Sequence, residues 1–270
     1  AKIGEIGNVN LLENVPNVKS TLSTLINLSY CDIAVSVSDR LSLTTNSTSL
    51  SSHPPDLLIT STHVLYPSRC LVPGTAKLPV KGIDTPTLIV SAFAPYKRVD
   101  LAVEAFNKLG YPFVVVGEGQ DAGLLRRIAH SNIRFEGWLD DMSIGELYAG
   151  CRAFVFCGEE DFGISLLEAQ AMGRPVIALG QGGALETVIP DRKTWKPETG
   201  ISENKTINPT GVFFYEQSSE DLIRAIEHFE SVESQFDAEK IQEHAAQFDV
   251  AIYANRIKKF IEERLKKHKC

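Results

Sequence analysis

A chain of 270 residues with 43% hydrophobic and 23% charged side chains is an ordinary globular composition, sufficient for one large or two modest domains, and it excludes disordered and collagen-like classes. A formal net charge of −7 speaks against a chain-wide electrostatic footprint, so no nucleic-acid partner is expected. The five cysteines, at 31, 70, 151, 157 and 270, show no metal-ligand spacing; no run of about 18 apolar residues is present, and the N-terminus lacks a leader pattern, so the expectation is a reduced, cytoplasmic protein.

Residues 1–80 read as a truncated or remnant N-terminal segment. Strands are expected in "CDIAVSVS" and "DLLIT", and the hydroxyl-rich "DRLSLTTNSTSLSSHPP" between them reads as a loop. The sequons at Asn27, Asn46 and Asn204 are read as incidental. Residues 81–270 then alternate short β-rich runs with helical patterns, which predicts an α/β fold with a Rossmann-like parallel sheet and helices on both faces. Strands are expected in "TPTLIVSAF", "YPFVVVGEG", "NIRFEG", "RAFVFC", "RPVIALG" and "TGVFFYE". Helices are expected in "VDLAVEAFNKLG", "LLRRIAH", "DDMSIGELYAG", "GISLLEAQAMG" and "GALETVI", followed by three closing helices from Ser218 onward. The lysine-rich end reads as a solvated helix terminus, with a peripheral membrane contact as the alternative.

In such a sheet, ligands bind at the carboxyl ends of the strands. Glycines gather at that edge: Gly117 and Gly119, Gly137, Gly158 to Gly163, and Gly180 to Gly183 follow four successive strands. At "EEDFGIS" the amides of Phe162, Gly163 and Ile164 open a helix, where unpaired N–H groups favour an anion such as a diphosphate. Glu160 stands in that loop and Glu168 more than one turn down the helix. A carboxylate accepts two hydroxyl hydrogens and so suits a vicinal diol such as a ribose. The plainer alternatives are helix capping for Glu160 and a salt bridge inside the fold for Glu168.

The stretch from Glu160 through "DFGISLLEAQAMGRPVIA", followed by "GGALETV", resembles the paired-glutamate motif of retaining GT-B glycosyltransferases of glycosyltransferase family 4. "PYKRVDLAVEAFNKLG", "VVVGEG", "IRFEGWLDD" and "TGVFFYEQSSEDL" extend the likeness over roughly residues 86–262, particularly to mannosyltransferase-like members. The resemblance implies that Glu168 holds the nucleotide ribose, that Glu160 contacts the transferred sugar, and that Phe162, Gly163 and Ile164 offer amides to sugar and phosphate. It further implies that Lys97 neutralises the diphosphate, that Gly117 lines the phosphate groove, that Gly137 and Trp138 border the base, and that Gly182, Gly183 and Glu186 lie on the donor side. Glu160 and Lys97 are the implied catalytic pair. No metal and no cofactor are implied beyond a GDP- or UDP-sugar donor, with a glycan or lipid-linked acceptor as second partner.

Two departures stand out. Ala92 occupies the place where the family pattern has an arginine, and Arg98 is the nearest substitute, although two adjacent residues at a helix start point in different directions. The N-terminal part is also short, with no match to the family's histidine segment, and His63 reads as a loop residue. The functions implied are a hexosyltransferase acting with retention, mannose being the first choice of sugar, or a non-catalytic sugar-nucleotide-binding or scaffold protein.

Overall fold

The structure, a computed structural model, describes residues 82–197, 200, 202–204, 208–249, 251–253, 255, 256 and 259. The chain divides into two compact units, Ala1–Ser61 and Thr62–Cys270, and all described residues belong to the second. The elements expected over residues 1–80, the boundary after them, His63 and the lysine-rich C-terminal end lie outside the described residues.

All six strands expected over residues 81–270 form: β1 (Thr87–Val90), β2 (Phe113–Val116), β3 (Ile133–Gly137), β4 (Phe154–Phe156), β5 (Val176–Leu179) and β6 (Gly211–Phe214). They pair in parallel in the order β3-β2-β1-β4-β5-β6. Among the described residues these helices connect or cover them: α1 (Val99–Leu109), α2 (Ala122–Ile128), α3 (Asp141–Gly150), α4 (Ile164–Ala171), α5 (Ala184–Thr187), α6 (Ser219–Val232) and α7 (Ala238–Ala245). Among the described residues no helix is long and apolar enough to cross a membrane.

Apart from the edge strand β3, where Arg134 and Glu136 interrupt the pattern, the strands read as largely apolar runs because both faces of the sheet are covered. Alternation assigns successive residues to opposite cores. Val115, Ile177, Val212 and Phe214 pack with α1 and α6 on one face. Val114, Val176, Ala178 and Phe213 pack with α3, α4 and α5 on the other. In the first core Phe106 of α1 stacks on Phe113 with ring centroids 4.0 Å apart; truncating either ring would cost about 3–5 kcal/mol. α1 ends at Gly110, in the left-handed region at φ 73°. α6 begins at Ser218, whose side chain accepts from the Asp221 amide, and Arg152 before β4 ties the far end of that helix by donating to Glu230 and Glu233.

This strand order contains one reversal of direction, between β1 and β4. α1 leaves β1 on one face and α4 leaves β4 on the other, so the connecting loops diverge and open a crevice at the carboxyl ends.

Candidate functional site

The β1 loop carries a short 3-10 turn, Pro95–Lys97, and then Arg98, the one non-glycine residue at positive φ (51°) among the described residues. The β4 loop carries Gly158 through Gly163. These two loops face each other: a side chain on Gly158 would begin 3.2 Å from Lys97 Cα, and the Lys97 ammonium is ion-paired with Glu160 Oε1. Lys97 also lies 5.0 Å from the centre of the Tyr96 ring. An open cleft of about 410 Å³ lies here, bordered by Tyr96, Arg98, Glu160, Asp161, Gly182 and Gln217.

Gly163 caps α4 at φ 80°, a conformation that other residues adopt at a cost. Among the described residues the amides of Phe162, Gly163 and Ile164 have no protein acceptor, so the helix presents unpaired donors at its positive end. The β5 loop closes the opposite side. The Gly183 amide donates to the Glu160 carbonyl at 2.6 Å, and a Cβ on Gly183 would stand 2.5 Å from the Asp161 carbonyl oxygen. Gly182 touches the same Glu160 carbonyl. The glycines of this edge therefore serve first to let loops lie backbone against backbone. On the far side the Gly117 amide donates to the Gly137 carbonyl at 2.8 Å, joining the β2 and β3 loops. Trp138, which follows, is 75% exposed.

The predicted residues thus fall into three places. Lys97, Glu160, Phe162, Gly163, Ile164, Gly182 and Gly183 assemble around the switch-point crevice. Gly117, Gly137 and Trp138 form the neighbouring rim. Glu168 is turned toward α3, where Tyr148 donates to its Oε2 at 2.9 Å. Its partner is a hydroxyl, not the cation of an internal salt bridge. Burial pushes the Glu168 carboxyl above the ordinary range, Tyr148 pulls it down and the charge of Asp141 adds to the rise. Glu186, half-buried in the first turn of α5, is raised by burial as well.

Two further residues bear on the site. Arg98 does border the cleft, but its guanidinium is forked onto Asp100, with Nε–Oδ1 3.2 Å and Nη2–Oδ2 3.1 Å. Ala92 is exposed. Tyr148 was not singled out from the sequence, because in "DDMSIGELYAG" a tyrosine on a helix reads simply as core. Gln170 of α4 is fully buried and donates to the Leu166 and Thr187 carbonyls at 3.1 and 3.0 Å. It ties α4 to the end of α5. Cys151 and Cys157 are free and buried; burial pushes the Cys151 thiol up to about 12, which suits packing and not chemistry.

Residues 86–231 match the family described as Glycosyl transferases group 1. The O-antigen chain mannosyltransferase C of Escherichia coli is 34% identical over 112 residues, covering 39% of this chain and 30% of its own length. The GDP-mannose-dependent monoacylated alpha-(1-6)-phosphatidylinositol monomannoside mannosyltransferase of Corynebacterium glutamicum is 33% identical over 125 residues, covering 40% of this chain and 33% of its own. The match thus spans about a third of the length of these curated relatives. Among solved structures, sucrose-phosphate synthase from Thermosynechococcus elongatus superposes with a TM-score of 0.56 at 21% identity, covering 70% of this chain and 47% of the other. Anabaena HepE, in complex with UDP and glucose, gives 0.54 at 20% identity, covering 67% and 48%. At such identities the likeness shows the fold, a Rossmann-like α/β domain of the GT-B kind.

Proposed function

The chain belongs to the glycosyl transferases group 1 family, and from that premise we propose that it binds a nucleoside-diphosphate sugar in the switch-point crevice and takes part in transferring the hexose, with retention of configuration, to a glycan or lipid-linked acceptor. The observation that carries this reading is the convergence at one crevice of a lysine, a carboxylate and an open helix N-terminus.

In this reading the acceptor oxygen forms a bond to the anomeric carbon while the bond from that carbon to the diphosphate oxygen breaks. Negative charge grows on the departing diphosphate. Lys97 and the amides of Phe162, Gly163 and Ile164 face that charge and stabilise it more in the transition state than in the ground state. The acceptor's proton passes to the departing phosphate oxygen on the same face. In this reading Glu160 holds hydroxyls of the transferred sugar, and Glu168 those of the ribose.

Lys97 is paired with Glu160. A diphosphate must therefore take the ammonium over, and Glu160, released, turns to the sugar. Mannose is favoured because two matched relatives are named mannosyltransferases, and GDP because one of them is named as GDP-mannose-dependent. Titration calorimetry with GDP-, UDP- and ADP-sugars, followed by a donor-hydrolysis assay, tests the proposal. Saturable binding with slow hydrolysis of one donor is expected, and no binding of any of them would overturn it.

A further inference from the structure

Glu168 is held by a single tyrosine hydroxyl whose only evident use is that contact. Tyr148 is 2% exposed; its ring lies on α3, tilted against Phe154 with centroids 5.5 Å apart, and packs in the same core as Leu166 and Ala169 of α4. A ring wanted only for packing would serve as phenylalanine, because a buried hydroxyl is costly unless it is bonded. The bond it makes is the one to Glu168 Oε2 at 2.9 Å. Between a phenol and a carboxylate the phenol is the donor. Holding Oε2 restrains rotation about the last torsion of the carboxylate and leaves Oε1 as its second acceptor.

We propose that Tyr148 is a positioning residue for nucleotide recognition: by holding Glu168 Oε2 it fixes Oε1 toward the ribose hydroxyls and so sets a preference for ribonucleotides over deoxyribonucleotides. This rests on the reading of Glu168 as the ribose acceptor given above. The effect is one of pre-organisation, since a carboxylate already oriented loses less freedom when the diol arrives. No contact between Tyr148 and the ligand is needed.

The test is equilibrium binding of GDP and UDP beside their 2′,3′-dideoxy counterparts, to the parent protein, Tyr148→Phe and Glu168→Gln. The parent should prefer the ribose form by about tenfold or more, as expected for hydrogen bonds to a charged group. Tyr148→Phe should reduce that preference about fivefold while leaving dideoxynucleotide affinity within twofold, and Glu168→Gln should reduce it further. A merely structural role would weaken both ligand forms together, and that result overturns the proposal, as does an unchanged ratio. If the parent shows no ribose preference, the reading of Glu168 falls and this role with it; a parent preference untouched by Tyr148→Phe sinks Tyr148 alone. Should Tyr148→Phe fail to fold, 2,3-difluorotyrosine at position 148, which keeps the ring and makes the hydroxyl a stronger donor, must shift the ratio, and an unshifted ratio overturns the proposal.

Discussion

Lys97 and Glu160 neutralise each other across the crevice, and the consequences of removing either differ. Glu160→Gln is expected to leave free nucleoside-diphosphate affinity unchanged or tighter, because the carboxylate that competes with the diphosphate for Lys97 is neutralised, while lowering transfer or donor hydrolysis at least tenfold. Glu168→Ala is expected to weaken nucleotide binding itself, by roughly 1.5–3 kcal/mol for a lost charged hydrogen bond. Calorimetry on both variants checks the division of labour, and equal losses of nucleotide affinity would contradict it. Burial also makes Glu168 costly to keep ionised. Its carboxyl is raised in the folded protein, so the fold binds this proton more tightly than the unfolded chain does. The carboxyl's contribution to stability is then fullest below the ordinary glutamate range, near 4.3, and is lost as pH rises through the folded-state value. Glu168→Gln should accordingly melt above the parent at pH 7, with the gap closing toward pH 4; a variant less stable at pH 7 contradicts the sign. At Ala92, exposed on the β1 loop, an arginine would add a planar fork for phosphate. Ala92→Arg is expected to tighten nucleoside-diphosphate binding about tenfold, and Ala92→Lys less.

At the scale of elements, the loops at the carboxyl edge behave as one unit because glycine lets their backbones touch. A methyl group on Gly183 would press on Asp161 and Phe162, so Gly183→Ala should destabilise the fold by about 2–4 kcal/mol through overpacking, read by denaturant unfolding. It should also spoil the amide geometry at the start of α4. The strands and helices were legible from pattern alone, since apolar runs such as "VIAL" and "FVVV" bounded by glycines leave little alternative in an α/β alternation. Single side chains were less legible. Gln170 reads as polar and therefore outward, yet its amide has two carbonyls to satisfy inside the fold, and burial follows the partner and not the residue type. The glycine-bearing loops were read as a ligand-lining edge, but pattern could not show that their first use is contact with one another, because that depends on which loops the strand order makes neighbours. Arg152 is a further case: it precedes β4 in sequence but anchors α6 through Glu230 and Glu233. Arg152→Ala should cost about 2–3 kcal/mol, because Glu233 loses its guanidinium partner and Glu230 keeps only the Tyr111 hydroxyl.

For the molecule as a whole, the order β3-β2-β1-β4-β5-β6 decides where function can sit. It places the loops after β1 and β4 side by side, although more than 50 residues separate them in sequence, and it brings Lys97 to Glu160. The two residues were chosen from sequence by resemblance, but their pairing with each other was not foreseen. That pairing is a property of topology, not of any local motif. The measurement that bears most directly on the central claim is titration calorimetry of the whole chain with GDP, UDP and ADP, with and without a chelator, alongside Lys97→Ala. Saturable binding of at least one nucleoside diphosphate, insensitive to chelation and weakened at least tenfold by Lys97→Ala, is the predicted result. Absence of binding by all three, or binding indifferent to Lys97, would contradict a nucleotide-sugar site in the switch-point crevice.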